Sequence, residues 1–374
     1  MKIWVIGRNY PLQSNGMQGS FELEQAKMLT KYGESVSYLA CLLHPFKVIK
    51  KKGFQFWKEK DLSVYVYSAF FLPRIYPLYF TKIRNQYWKK FLHKVKEKTG
   101  LPDVIHLHYP AMLMLADVLE DYYKLGVKII VTEHWSKVLA NTLDQLEESN
   151  LKKYFNIVDT FICVGKPLAK VIEQLSGQKK ISVTIVPNIV NAAFKPAISK
   201  KNFFEFIAVG RLVKVKQFDK VITTFAKVFK NTDVKLTIIG NGPEYDRLKR
   251  IIVNLKIEKQ ITLTGSLNRI ETSHYVANAD CLICYSQFET FGVPIIEAWA
   301  CGIPVVATTE AAVIDNFDNR LGIEVSPESI HELEDAMIFI HQHINEYDKD
   351  YITKFAREKF SEDSVYKKLL SIYK

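Results

Sequence analysis

Short apolar runs rich in β-branched residues alternate with amphipathic stretches of helical length from one end of the chain to the other. In the first half the runs Lys2–Ile6, Val36–Leu39, Leu62–Tyr67, Val104–Leu107, Lys128–Val131, Phe161–Val164 and Ile181–Val186 read as strands. In the second half they are Phe203–Val209, Val234–Ile239, Ile261–Leu263, Cys281–Tyr285, Pro304–Ala307 and Ile323–Val325. Strands spaced by helical intervals predict βαβ units, hence an α/β protein whose parallel sheets are covered by helices. The pattern restarts after Pro187-Asn188 and the lysine-bearing segment Lys195–Asn202, which reads as an interdomain linker. A last helix, Ser361–Tyr373, opens with Ser361 as N-cap and with Glu362 and Asp363 in its first turn. The expected division is a first domain over 1–190, a second over 195–355, and a C-terminal helix over 356–374 that packs back on the first.

Length and composition agree with that division. The 374 residues are too many for one ordinary core, and 48% apolar with 24% charged residues suffice for two cores and a soluble exterior. No window approaches the roughly 18 uninterrupted apolar residues of a membrane span, so any membrane contact is expected to be peripheral. The run Ile3–Ile6 is strand-length and followed by Gly7, unlike a signal peptide, so the expected compartment is the cytoplasm. Five cysteines fit reduced thiols there. Cys281 and Cys284 spell C-x-x-C, but an offset of three within a strand sends the side chains to opposite faces, which disfavours a redox or metal pair.

The chemistry concentrates in the segment that follows the Cys281–Tyr285 strand, at the kind of strand end where open α/β sheets bind ligands. Glu289 and Glu297 stand eight residues apart across Phe291-Gly292-Val293-Pro294. Gly292 lets backbone approach a ligand, Pro294 suits the first turn of a helix, and the free amides of a helix start favour phosphate. Two acidic residues near the positive end of a helix is the plainer alternative. A second cluster follows the first strand of the C-terminal half. There Gly210, Arg211 and Lys216 place a bidentate guanidinium and a point charge where both could meet one pyrophosphate.

These segments resemble the motifs of glycosyltransferase family four. Glu289 to Glu297 resembles its E-x7-E, continued by Ala298, Gly302, Ile303, Pro304 and Val305, and Gly210-Arg211-Leu212 with Lys216 resembles its G-R-L-x-x-x-K-G. Weaker matches follow in order at Val186-Pro187-Asn188, at Ile239 with Gly240-Asn241-Gly242-Pro243-Glu244, and at Thr264-Gly265-Ser266. The resemblance implies a GT-B fold, two Rossmann-like parallel-sheet domains facing each other across a cleft. It implies a retaining, metal-independent transfer of a hexose-type sugar from a nucleotide-diphosphate sugar, with no further cofactor. The acceptor would be a glycan or a lipid-linked molecule, in bacterial envelope or exopolysaccharide synthesis.

Carried over residue by residue, Glu289 would reach the donor sugar, Arg211 and Lys216 the diphosphate, Glu297 the ribose, and backbone at Phe291, Gly292, Gly210 and Gly240 the donor. In the first domain, Gly19 would face the donor phosphates and His134 the donor sugar, a position that a structural role explains equally well, while for His106 and His108 a structural role is the better reading. Three departures stand out. Gln217 occupies the position after the lysine where the family has Gly, Ile189 and Asn191 replace a Gly and an Asp, and Thr309-Glu310-Ala311-Ala312 stands where a Gly-rich loop is usual. The last of these leaves the sugar open.

A net charge of +11 suits anionic partners. Two segments, 46–60 and 82–98, combine lysines with Phe54, Phe56, Trp57, Tyr87, Trp88 and Phe91. They fit an anionic membrane on the inner face of the cell and equally a lysine-rich exterior. Lys50, Lys51, Lys52, Lys89 and Lys90 with Trp57 and Trp88 would make that contact. No recognition motif supports nucleic acid. Asp348-Lys349-Asp350 spells D-x-D away from any strand end, and His341 and His343 are misplaced for sharing a metal. A nicotinamide oxidoreductase would need G-x-G-x-x-G after a first strand, where Gly7 stands alone. The remaining alternative is a non-catalytic, glycosyltransferase-like scaffold in a polysaccharide assembly complex.

Overall fold

Eight strands form the first sheet: β1 (Lys2–Ile6), β2 (Ser35–His44), β3 (Gly53–Glu59), β4 (Leu62–Phe70), β5 (Val104–His108), β6 (Lys128–Glu133), β7 (Thr160–Cys163) and β8 (Val183–Ile185). Their spatial order is β3-β4-β2-β1-β5-β6-β7-β8. Six form the second: β9 (Glu205–Val209), β10 (Lys235–Ile239), β11 (Ile261–Gly265), β12 (Cys281–Cys284), β13 (Val305–Thr308) and β14 (Gly322–Val325), in the order β11-β10-β9-β12-β13-β14. In this computed structural model, residues 11–19, 45–52, 71–76, 178, 180 and 198–201 lie outside the described chain.

Every pairing is parallel except β3 with β4. The sequence reading missed β3. Its residues Gly53–Glu59 form an edge strand none of whose residues is fully buried, so Gln55, Lys58 and Glu59 stand among its aromatics and no continuous apolar run marks it. The central strands show the opposite pattern: β5 is buried throughout and β1 in all but its first residue.

The chain divides into two units, Met1–Ile189 with Tyr366–Lys374, and Val190–Val365. Residues 356–360 complete the helix Lys349–Phe360 of the second unit, and the helix Glu362–Tyr373 groups with the first from Tyr366 onward. There Tyr373 bonds His106 at 2.6 Å and Tyr366 bonds Glu34 at 3.1 Å. Asp348, the first acid of the D-x-D, is simply the N-cap of the helix Lys349–Phe360, accepting from the amides of Asp350 and Tyr351.

The helix Pro77–Thr99 corrects one expectation. Trp88, Phe91, Leu92 and Val95 are at most 1% exposed, an i, i+3, i+4, i+7 stripe that faces the core, while Lys82, Lys89, Lys90 and Lys94 face out. Trp88 is therefore a core residue rather than a membrane anchor, and Lys50, Lys51 and Lys52 lie outside the described residues. Among the described residues, no helix is long and apolar enough to cross a membrane.

Among the parallel strands of each sheet the order reverses at one place: between β1 and β5 in the first, and between β9 and β12 in the second. Such switch points open a crevice beyond the carboxyl ends of the strands. The segments after β9 and β12 flank the second of these, and they carry Arg211, Lys216, Glu289 and Glu297.

Candidate active site

After β9 the chain leaves through Gly210 and Arg211 and makes a 3-10 turn over Lys214–Lys216 before the helix Phe218–Phe229. That helix is fixed by a stripe of buried apolar residues, Phe218, Val221, Ile222, Phe225 and Phe229. Lys216 thus projects at the sheet end, where its Nζ donates to Glu289 Oε1. The same oxygen accepts from Ser286 Oγ at 2.8 Å and, more weakly, from Cys284 Sγ at 3.6 Å. Both side chains of the ion pair are largely buried, Lys216 20% exposed and Glu289 11%. Burial acts to lower the Lys216 pKa, but the Glu289 charge, with Cys284 adding to it, outweighs that and the net shift is upward. Lys216 therefore stays an ammonium at neutral pH. Cys284 shifts the other way from a reactive thiol, because burial and the Glu289 charge push its pKa up.

Arg211 is exposed, and among the described residues its side chain has no partner. Its position depends on glycine. A Cβ on Gly240 would lie 1.9 Å from the Gly210 carbonyl oxygen, and one on Gly242 would lie 2.3 Å from that of Leu212. The loops after β9 and β10 pack backbone to backbone, with Leu212 N donating to Asn241 O and Gly210 N to Ile239 O, both at 3.0 Å. Gly240, expected to face the donor, acts here as the floor that holds the Gly210-Arg211 turn.

Gln217 shows how this chain does without the family's glycine. Its backbone is left-handed, φ 50° and ψ 33°, a conformation that glycine adopts freely and other residues at a cost of about 1 kcal/mol. Its buried amide nitrogen donates to the carbonyls of Tyr285 at 3.2 Å and Pro327 at 3.1 Å, tying the Lys216 turn to the end of β12. Two net hydrogen bonds of about 0.5–1.5 kcal/mol each offset the strain.

The loop after β12 is held by Glu289 N to Glu310 O at 2.9 Å and by Val313 N to Phe291 O at 3.0 Å. Gly292, at φ 101°, precedes the helix Val293–Ala300. Among the described residues the amides of Phe291, Gly292 and Val293 have no hydrogen-bond partner, so they form an open donor set beside Lys216 and Glu289. Glu297, one turn into the helix and buried, takes Arg269 Nη1 at 3.2 Å. Neither Arg269 nor the donors Ser286 and Cys284 were assigned roles from sequence. Ser286 lies three residues before Glu289, a signal that was available, whereas Arg269 is 28 residues from its partner and gives none.

In the first unit, β5 ends in His106-Leu107-His108 and β6 in Thr132-Glu133, followed by His134. His106 is closed off by Tyr373 Oη and Thr132 Oγ1, each at 2.6 Å, which settles it as a structural residue. His108 Nδ1 meets His134 Nε2 at 3.0 Å, and the rings of His106, His108, His134 and Tyr109 stack in sequence, with the Arg8 guanidinium 3.9 Å from the Tyr109 ring centre. Burial pushes His106 and His134 down to about 3 and holds His108 well below the ordinary histidine range, so the three are neutral imidazoles that serve as hydrogen-bond groups. Glu133, pushed up to about 7 by burial, accepts from the amides of Ala111, His134 and Trp135 and so fixes the loop that carries His134. Gly19 lies outside the described residues. His341 packs edge-on against Phe204 and Phe229, while His343 stacks on Phe339 and bonds its carbonyl, so both are accounted for by packing.

Comparison with known proteins follows the same division. A profile described as Glycosyl transferases group 1 matches residues 191–356, and one described as Glycosyltransferase Family 4 matches 54–194. The chain is 25% identical over 319 residues to N-acetyl-alpha-D-glucosaminyl L-malate synthase of Bacillus anthracis, covering 82% of this chain and 79% of that one. Among solved structures, sucrose-phosphate synthase from Thermosynechococcus elongatus superposes with a TM-score of 0.79 at 16% identity, over 99% of this chain and 98% of the other. Anabaena HepE, solved with UDP and glucose, gives 0.74 at 15% identity, over 100% and 99%.

Proposed function

Because this chain belongs to glycosyltransferase family four, has the GT-B fold and is a glycosyltransferase acting on nucleotide sugars, we propose that it transfers a hexose-type sugar with retention of anomeric configuration and without a metal ion. The acceptor on this reading is a glycan or a lipid-linked molecule of a bacterial envelope pathway. The observation that carries the reading is the grouping after β9 and β12: Lys216 on Glu289, with the open amides of Phe291, Gly292 and Val293 beside them. As the bond from the anomeric carbon to the diphosphate breaks, charge collects on the leaving phosphate. Lys216, Arg211 and the helix-start amides supply the positive field that stabilises it. Glu289 Oε1 already has three donors, which leaves Oε2 for a sugar hydroxyl. Glu297 holds the ribose and His134, a neutral imidazole, hydrogen-bonds the sugar.

The relative named for N-acetyl-alpha-D-glucosaminyl L-malate has an alpha-linked product, which is retention where the donor is alpha-linked, and HepE with UDP and glucose supports a uridine donor. The lysine row Lys82, Lys89, Lys90 and Lys94 supports reversible contact with an anionic membrane, each surface lysine contributing about 1 kcal/mol that weakens with salt. Salt-sensitive binding to anionic but not to neutral vesicles checks this. A panel of nucleotide sugars read by thermal stabilisation, followed by turnover in excess EDTA, tests the rest; a ligand at about a hundred times its Kd adds roughly 2.7 kcal/mol. Stabilisation without turnover against any glycan or lipid acceptor would favour the scaffold alternative. Activity abolished by EDTA and restored by Mg²⁺ or Mn²⁺ would overturn the metal-free mechanism.

A further inference from the structure

Beside the carboxyl ends of β5 and β6, the first unit has a partly open pocket with room of about 20 Å³, lined among others by Gln25, His108, Thr132, His134 and Asn188. Two of these residues carry buried polar atoms without a partner among the described residues, Gln25 Oε1 and His108 Nε2, and their side chains are themselves buried, Gln25 8% and His108 1% exposed. Leaving such an atom unpaired costs about 1–3 kcal/mol, so two around one small polar cavity mark a place built to be filled. Room of that size takes one oxygen-sized group.

The chemistry of the walls selects that group. His108 Nδ1 faces His134 Nε2, so one imidazole donates to the other. In the tautomer where His134 donates, His108 Nε2 carries the proton and the cavity offers one donor and, from Gln25, one acceptor. An anion is disfavoured, because Glu24 also lines the space and, among the described residues, no cationic side chain does.

We propose that this cavity is a subsite for one neutral hydroxyl group of a carbohydrate ligand, which accepts from His108 Nε2–H and donates to Gln25 Oε1. The assignment rests on the reading of the chain as a glycosyltransferase and extends the recognition of its sugars beyond His134. The depressed basicity of His108, caused first by burial, keeps the imidazole neutral throughout the working pH range and is consistent with a fixed hydrogen-bond role. Gln25 sits in the helix Ser20–Lys31, so the subsite ties that helix to the His108–His134 pair.

The test uses the full chain, with UDP present, and the methyl α-glycosides of glucose, galactose, mannose and N-acetylglucosamine, each with its monodeoxy analogues, followed by saturation-transfer NMR. For the best binder, removal of one hydroxyl should weaken binding to the wild-type protein roughly tenfold. In Gln25→Leu, which keeps the volume but removes the acceptor, the parent glycoside should weaken by a similar factor and that deoxy analogue should no longer be distinguished from it. Gln25→Asn, which withdraws the same acceptor while staying polar, should behave alike and serves if the leucine variant is unstable. Binding by none of the four glycosides, or equal deoxy losses in wild type and variants, would overturn the subsite. So would a crystal structure of the sugar complex with only water between Gln25 and His108. UDP affinity, measured in parallel by calorimetry, separates the two readings: nucleotide binding with no hydroxyl dependence defeats only the subsite, failure to bind UDP defeats the uridine donor, and failure to bind or turn over any nucleotide sugar of the panel defeats the proposed transfer itself.

Discussion

Replacing Lys216 by alanine removes a cation that has one partner in the resting protein and, on our reading, another in the transition state. At rest its Nζ donates to Glu289 Oε1, and the two side chains are 20% and 11% exposed. Without it, among the described residues, Glu289 keeps the Ser286 hydroxyl at 2.8 Å and the Cys284 thiol at 3.6 Å as side-chain donors. Breaking a fully buried pair costs about 3–5 kcal/mol and an exposed one about 0–1 kcal/mol. This pair lies between those limits, so the unfolding free energy should fall by about 2 kcal/mol. The catalytic loss has a different origin. Charge on the diphosphate is greatest in the transition state, so kcat should fall by roughly 10²–10³-fold, about 2.7–4 kcal/mol, with donor KM changed little. Because Lys216 and Glu289 are in contact, the stability losses of Lys216→Ala and Glu289→Gln should not add; the double variant should recover about 1–2 kcal/mol of their sum. Urea unfolding reads the first effect, and steady-state kinetics with the donor found by the panel reads the second. A near-normal kcat with a raised donor KM would show that Lys216 only binds the ground state, and strictly additive stability losses would show that the ion pair has no energetic weight.

Glu297→Ala should raise the donor KM by roughly tenfold and leave kcat closer to intact, since the ribose does not change during transfer; a collapse of kcat in the same kinetics would invert its role with Lys216. Gly240→Ala places a methyl group 1.9 Å from the Gly210 carbonyl oxygen at a residue with φ 144°, so about 3 kcal/mol or more of stability should be lost in urea, together with the Arg211 contribution to turnover. Glu133 ionises near 7 in the folded chain against an ordinary 4.5, so its contribution is complete below about 4.5 and is lost as pH rises through about 7, at most about 3 kcal/mol. The stability gap between wild type and Glu133→Gln, followed by urea titration at each pH, should therefore narrow from pH 5 to pH 8; a constant gap would mean that Glu133 ionises normally.

What the sequence determined by itself is whatever is written in short range. The apolar strand runs and their spacing gave two parallel sheets, because a strand buried on both faces must be apolar along its length. Glu289, Gly292 and Glu297 were legible for the same reason, as a strand end, a turn and a helix start follow one another within a few residues and fix each other's geometry. Gly210, Arg211 and Lys216 were legible likewise.

Tertiary structure decided the rest. Edge strand β3 hid because its incomplete burial leaves room for Gln55, Lys58 and Glu59 among the aromatics, and Trp88 was misplaced because its neighbours in sequence, Lys89 and Lys90, face the other way on a helix. Gly240 reads locally as a ligand-binding glycine, yet it is required by a carbonyl 30 residues away. Gln217 reads as a broken motif, yet its amide bonds to Tyr285 and Pro327 support the backbone that the missing glycine would have allowed. The pairs Lys216–Glu289, Arg269–Glu297 and His108–His134 span 73, 28 and 26 residues. Hydrogen bonds and charges act across a few ångströms of space, and only the order of the strands, which no local pattern encodes, determines which distant residues come that close.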